Sequence, residues 1–219
     1  MIPALHVVTD DEILGRPEFP SMAARILRAG KADVALHLRG PGTGGRALFL
    51  LAEILQKEAL QTGSLVLAND RLDLALAADL PGAHLGQRSI PPEVARNLLG
   101  SEKVLGLSVH SVEEAVAGGG EVAVGDSNAV DYFLVGTIFS SPSHPGGATG
   151  GVARIEEVRG RTDVPLLAIG GMTPERVTAV LSAGARGVAV RGGIWNSDDP
   201  AEATRAFLAE LEKGEGRWM

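Results

Sequence analysis

Two glycine pairs in the last third of the chain are placed to hold an anion. Ile169-Gly170-Gly171-Met172-Thr173-Pro174 follows the apolar run Val164 to Ala168, and Arg191-Gly192-Gly193-Ile194 follows Gly187 to Val190. Each reads as a short buried strand ending in glycines, with a helix pattern soon after. Glycine lets backbone N–H groups come close to an anion, and a helix N-terminus adds favourable dipole potential. The chemistry suits a small phosphorylated molecule. His110, in Leu107-Ser108-Val109-His110-Ser111, ends a strand pattern directly before a helix pattern. An imidazole there can take a proton from one atom and return it to another, or merely satisfy local backbone groups. Arg39 ends an earlier strand and offers a fork to a carboxylate or phosphate, with a surface ion pair as the plain alternative. His37 shares its side of that strand, as a floor group of the same site or as a core histidine. Asn69-Asp70 ends a third strand; Asp70 suits magnesium shared with diphosphate oxygens, and equally the N-cap of the next helix. The histidines lack metal-ligand spacing, so no zinc is expected.

These residues meet only if one scaffold gathers strand ends. Strand patterns cover Leu5 to Thr9, Asp33 to Leu38, Leu65 to Ala68, Gly82 to Leu85, Lys103 to Ser108, Tyr132 to Val135, Pro165 to Ile169 and Gly187 to Val190. Helix patterns separate them, such as Met22 to Ala29, Leu72 to Ala78 and the stretch opened by Pro91-Pro92-Glu93. Ser111 and Glu114 have capping-box spacing, and Thr173 and Asp199 stand at later helix starts. Eight β–α units in series predict an α/β fold, a (β/α)8 TIM barrel forming one domain over residues 1–219; an open doubly wound sheet is the competing arrangement. In a barrel the glycine pairs follow strands seven and eight, where a phosphate site is common. The run from Ser140 to Gly151, with His144, then falls on the active-site face, where lids belong. The tail from Lys213 is expected to fray, unless Trp218 packs on a partner subunit.

Composition narrows the function. The chain has 219 residues, 45% hydrophobic and only 4% aromatic, which suits an interior of Val, Leu, Ile and Ala. A net charge of −7 argues against nucleic acid and anionic membrane as partners. With no cysteine there are no disulfides and no thiolate chemistry. Neither a signal peptide nor an apolar run long enough to span a membrane is visible, so a cytoplasmic protein is expected, with a homodimer as the assembly.

Over nearly its whole length the chain resembles the thiamine phosphate synthase / TenI family. The similar segments are Val8-Thr9-Asp10, Leu36 to Arg39, Leu67 to Asp70, Gly82 to Gln87, Gly106 to Ala115, Ala168 to Pro174 and Gly187 to Ile194. The resemblance implies a (β/α)8 barrel and thiamine biosynthesis. Synthases of this family couple a thiazole phosphate to a pyrimidine diphosphate with magnesium, whereas TenI-type members aromatise a thiazole carboxylate phosphate by a metal-free proton shift. Pro41 stands where synthases carry a diphosphate lysine, Pro81 where the comparison puts a magnesium aspartate, and Ser140 to His144 lacks the lysine of the synthase loop. Ser108 to Ser111 is similar to the TenI-type pattern with its catalytic histidine. These departures lead to the expectation of a thiazole tautomerase, an isomerase without cofactor. His110 would move the proton, and Arg39, His37, Asn69, Ser108, Gly170, Gly171, Arg191, Gly192 and Gly193 would surround the phosphorylated thiazole. A magnesium-dependent synthase and a non-catalytic thiazole-phosphate-binding regulator are the alternatives.

Overall fold

The computed structural model describes residues 1–120, 129–141 and 148–215. His144 and Trp218, and half of the stretch expected to act as a lid, lie outside them. In chain order the elements are β1 (Leu5–Val8), α1 (Asp11–Leu14), α2 (Phe19–Gly30), β2 (Val34–Leu38), α3 (Gly45–Thr62), β3 (Leu65–Asn69), α4 (Leu72–Ala77), β4 (Gly82–Leu85) and α5 (Pro92–Leu99). They continue with β5 (Val104–Val109), α6 (Val112–Ala115), β6 (Tyr132–Val135), α7 (Ala153–Arg159), β7 (Leu166–Ile169), α8 (Pro174–Ser182), β8 (Gly187–Val190), α9 (Gly192–Trp195) and α10 (Pro200–Glu215). The strands pair in sequence order and β8 closes onto β1, all in parallel. Closure excludes the open sheet. Strand boundaries agree with the sequence pattern to about one residue, because a strand buried on both faces reads as an unbroken apolar run.

Two helices were invisible in the pattern. Both α1 and α9 are single turns at the carboxyl ends of β1 and β8, too short to carry a periodicity. Asp10 caps α1, its Oδ1 accepting from Ile13 N at 2.9 Å, and Asp199 caps α10 through Ala201 N at 2.9 Å. Ser111 accepts from Glu114 N at 3.3 Å, but Glu114 reaches one residue past the cap and accepts from His110 N at 2.7 Å. Thr173 precedes α8 without a side-chain cap, and Asp70 does not cap α4. The tail expected to fray from Lys213 is helical through Glu215. Among the described residues no helix is long and apolar enough to cross a membrane.

Aliphatic side chains fill the layer between strands and helices, as composition suggests. The barrel interior departs from that expectation. Val8, Ala35, Leu67, Leu134, Leu167 and Ala189 line it, but its centre holds His6, His37, His84 and Tyr132, all essentially inaccessible. Gly106 on β5 makes room for the tyrosine, since a Cβ there would run into the Tyr132 ring. Four ring systems with polar atoms survive burial only because they hydrogen-bond one another.

Candidate active site

The carboxyl ends of the strands enclose a cavity of about 750 Å³, opening beside a second hollow of about 470 Å³. Gly170, Gly171, Gly192 and Gly193 form one end of the larger cavity, together with Thr173, Arg176 and Arg191. This end is anchored firmly. Trp195 of α9 is buried, donates Nε1–H to the Val8 carbonyl at 2.9 Å and lies 5.4 Å from the Phe19 ring. Arg16 donates to the Trp195 carbonyl at 2.7 Å and holds the last turn of α9. Arg191 pairs with Asp10, tying β8 to the cap of α1. Arg176, in the first turn of α8, donates to the Gly171 carbonyl and stands 4.7 Å from the centre of the Phe139 ring.

Around the mouth of the second hollow stand Arg39, Asn69, Asp70, Gln87, Arg88, Ser108 and His110. Thr9 fixes Arg39 by its backbone: Oγ1 donates to the His37 and Arg39 carbonyls, both at 3.0 Å, and accepts from Arg39 N at 2.8 Å. Among the described residues no carboxylate pairs with the Arg39 guanidinium. Asp70 sits at a left-handed φ of 62° and turns its Oδ1 to Gly86 N (2.7 Å) and to the Ser89 hydroxyl. His110 is exposed at the rim. Gln87 donates through Nε2 to Glu114 Oε1 at 2.8 Å, and the same nitrogen faces His110 Nδ1 at 2.9 Å. Glu114 Oε2 also lies 3.3 Å from His110 Nδ1, so the imidazole is held between the Gln87 amide and the Glu114 carboxylate.

Beneath the floor lies the histidine cluster. His6 Nδ1 is 2.8 Å from His37 Nε2, and His37 Nδ1 is 2.9 Å from the Asn69 amide. His84 Nε2 is 2.8 Å from Ser108 Oγ. Burial holds His37 down to about 4. Burial, then the neighbouring His37, pushes His6 and His84 well below the usual imidazole range. Burial, with Asp131 nearby, drives the Tyr132 hydroxyl far up. All four are neutral near pH 7.

The structure brings nine of the ten expected site residues to the cavity walls. His37 is the exception: it lies a layer deeper and reaches the cavity only through Asn69. Sequence reasoning missed Arg176 and the role of α9. An arginine three residues into the helix after a glycine turn was the available signal for Arg176.

Residues 5–194 match the family described as thiamine monophosphate synthase. The chain is 37% identical over 216 residues to the thiamine-phosphate synthase of Methanoculleus marisnigri, covering 97% of this chain and 98% of that one. It is 35% identical over 204 residues to that of Roseiflexus castenholzii, covering 93% and 86% of the two chains. The chain belongs to the thiamine monophosphate synthase family. A thiamine phosphate pyrophosphorylase from Pyrococcus furiosus shares its fold, with a TM-score of 0.78 at 24% identity, each chain 96% covered.

Membership in this family of enzymes overturns the expected tautomerase and isomerase: relatives alike over nearly the whole chain bear the synthase name. The structure explains why the departures misled. Pro81 precedes β4, and its carbonyl accepts from Val104 N at 2.9 Å, at the end of the barrel opposite the cavity. Its identity has no bearing on a metal at the mouth. Pro41 does remove one cation, yet Arg39, Arg88, Arg176 and Arg191 converge on the cavity walls from four separate elements. Counting charges at motif positions missed that supply.

Proposed function

We propose that this enzyme is a thiamine-phosphate synthase, joining a thiazole phosphate to a pyrimidine diphosphate. The observation that carries the reading is a cavity with two anion-binding ends. One is the cradle at the glycine turns, with Arg176 and Arg191 beside it; the other combines Arg39, Arg88 and the Asp70 carboxylate. Two phosphorylated molecules can face each other across it. The thiazole nitrogen bonds to the carbon that carries the diphosphate, the carbon–oxygen bond breaks, and diphosphate leaves with that electron pair. Holding both reactants in line supplies much of the rate, and cations must meet the charge that grows on the leaving group.

In this reading the backbone N–H groups at Gly170, Gly171, Gly192 and Gly193 hold the monophosphate, with Arg176 beside them. Arg39 and Arg88 face the diphosphate. His110 stands at the rim, held by Gln87 and Glu114. A magnesium ion fits Asp70, because such ions take one or two carboxylates and otherwise phosphate oxygens and water. Among the described residues Asp70 engages neighbours through Oδ1 alone, which leaves Oδ2 for the ion. Bound there, it would neutralise diphosphate charge.

The deciding experiment incubates the protein with both substrates and magnesium and follows thiamine phosphate and diphosphate. Product formation supports the reading; none, with both substrates bound, sinks it. Asp70→Asn is expected to lower kcat by roughly 10²-fold and raise the magnesium needed for half-maximal rate. A variant with an unchanged magnesium requirement would remove Asp70 from the metal site. Arg176→Ala is expected to raise KM for the thiazole phosphate by about tenfold or more, with KM for the diphosphate substrate unchanged.

A further inference from the structure

The core cluster admits only one arrangement of its hydrogens, and that arrangement reaches the cavity floor. Pro3 offers His6 a carbonyl oxygen, 3.1 Å from Nε2, which can only accept. The His6 hydrogen is therefore on Nε2, and Nδ1 is bare. Facing it at 2.8 Å, His37 Nε2 must donate, which leaves His37 Nδ1 bare in turn. Asn69 Oδ1 is placed 2.9 Å from that nitrogen, where two acceptors would face each other, so the amide must turn to donate its N–H there. The two ends of an amide exchange by a half-turn, so this orientation costs no space. The Asn69 carbonyl oxygen is left for the cavity, which Asn69 lines.

The second branch follows from the first. Tyr132 OH lies 3.1 Å from His84 Nδ1 and 3.5 Å from His37 Nε2. The latter already carries a hydrogen, so Tyr132 donates to His84 Nδ1. His84 then bears its hydrogen on Nε2 and donates it to Ser108 Oγ at 2.8 Å. Ser108 keeps its own O–H for the cavity.

We propose that His6, His37, His84 and Tyr132 are positioning residues that set the hydrogen-bond polarity of the cavity floor, an acceptor at Asn69 and a donor at Ser108, and so select a heteroaromatic ring carrying both an amino N–H and an unprotonated ring nitrogen. The substrate half of this inference rests on the proposed synthase activity, whose pyrimidine is the ring in question. The wiring stands on the core alone. A ring lacking the amino group leaves the Asn69 oxygen buried without a donor, and such mismatches discriminate more strongly than lost apolar contact.

Nitrogen NMR of protein labelled at the histidine rings tests the wiring without any assay of activity. At pH 7.5, His6, His37 and His84 should each show a bare Nδ1 and a protonated Nε2. His37 found charged, or protonated at Nδ1, overturns the proposal. Tyr132→Phe removes one hydroxyl and keeps the ring. It should let His84 shift its hydrogen to Nδ1 and let Ser108 turn inward, with KM for the pyrimidine diphosphate rising about tenfold and KM for the thiazole phosphate unchanged. An unmoved His84 signal together with an unmoved KM overturns the second branch. In the wild type, a pyrimidine diphosphate lacking its amino group should lose roughly 10²-fold or more in kcat/KM. Equal use of both overturns the selection. The stated tautomers in a protein that couples nothing would retain the wiring and refute the substrate reading.

Discussion

Taken from pH 7.5 to pH 5, the protein is expected to lose a large part of its folding stability, well above the range where carboxylates titrate. His37 is neutral in the folded state down to about 4, and burial keeps His6 and His84 neutral far below the ordinary imidazole value of 6.5. In the unfolded chain all three bind protons from about pH 6.5 downward. Below that point the unfolded state holds more protons than the folded one, so acid favours unfolding and stability rises with pH across the window. A histidine that stays neutral in the folded state contributes a slope of about 1.4 kcal/mol per pH unit once its unfolded form is charged, which for His37 is about 2 kcal/mol by pH 5. His6 and His84 add to the loss in the same direction, against a total of roughly 5–15 kcal/mol for a typical domain. Urea unfolding at pH 7.5, 6.5, 5.5 and 5.0 measures this directly. A midpoint that stays level between pH 6.5 and 5.0 would show that the cluster is hydrated or charged, against its burial. Inserting a methyl group at Gly106, against the Tyr132 ring, should weaken the same cluster at every pH.

Gly171→Ala is expected to abolish most activity while leaving a folded barrel. Gly171 has a φ of +59°, and a Cβ built there meets the Ser140 carbonyl oxygen and lies 2.8 Å from that of Phe139. The left-handed conformation alone costs a side chain about 1–2 kcal/mol. The clash is with backbone, so no rotamer change relieves it. The Phe139–Ser140 segment and the glycine turn must move apart, and the anion end opens with them. A drop of at least about 10²-fold in kcat/KM for the thiazole phosphate follows if those N–H groups hold its phosphate. For a chain of this size, 2 kcal/mol corresponds to a fall in Tm of roughly 4–8 °C. Gly192→Ala is the contrasting variant, since its nearest neighbour would be Asn196 Nδ2 at 3.3 Å and its φ is ordinary. Steady-state kinetics and a melting curve on both variants suffice. Full activity in Gly171→Ala would take the turn after β7 out of the phosphate site.

By itself the sequence determined the barrel, the order of its strands and the end on which a site must lie. These follow from local signals: apolar runs of four to six residues, glycine and proline at their ends, helix patterns between them. The glycine pairs, Arg39, Asn69 and Ser108 were legible for the same reason, since a strand end can be recognised from its own neighbours and the barrel brings all such ends together. Only the tertiary structure decided which residues belong to which layer. His6, His37, His84 and Tyr132 are scattered over four strands, and nothing in the vicinity of any one of them announces the other three. Closure stacks them at one height, where low dielectric forces them to share hydrogens. It also decided which departures from the family pattern matter. Pro81 lies at the far end of the barrel, and Arg176 enters from a helix that no strand motif includes. Charge near a ligand depends on distance in space, and the chain records only distance along itself.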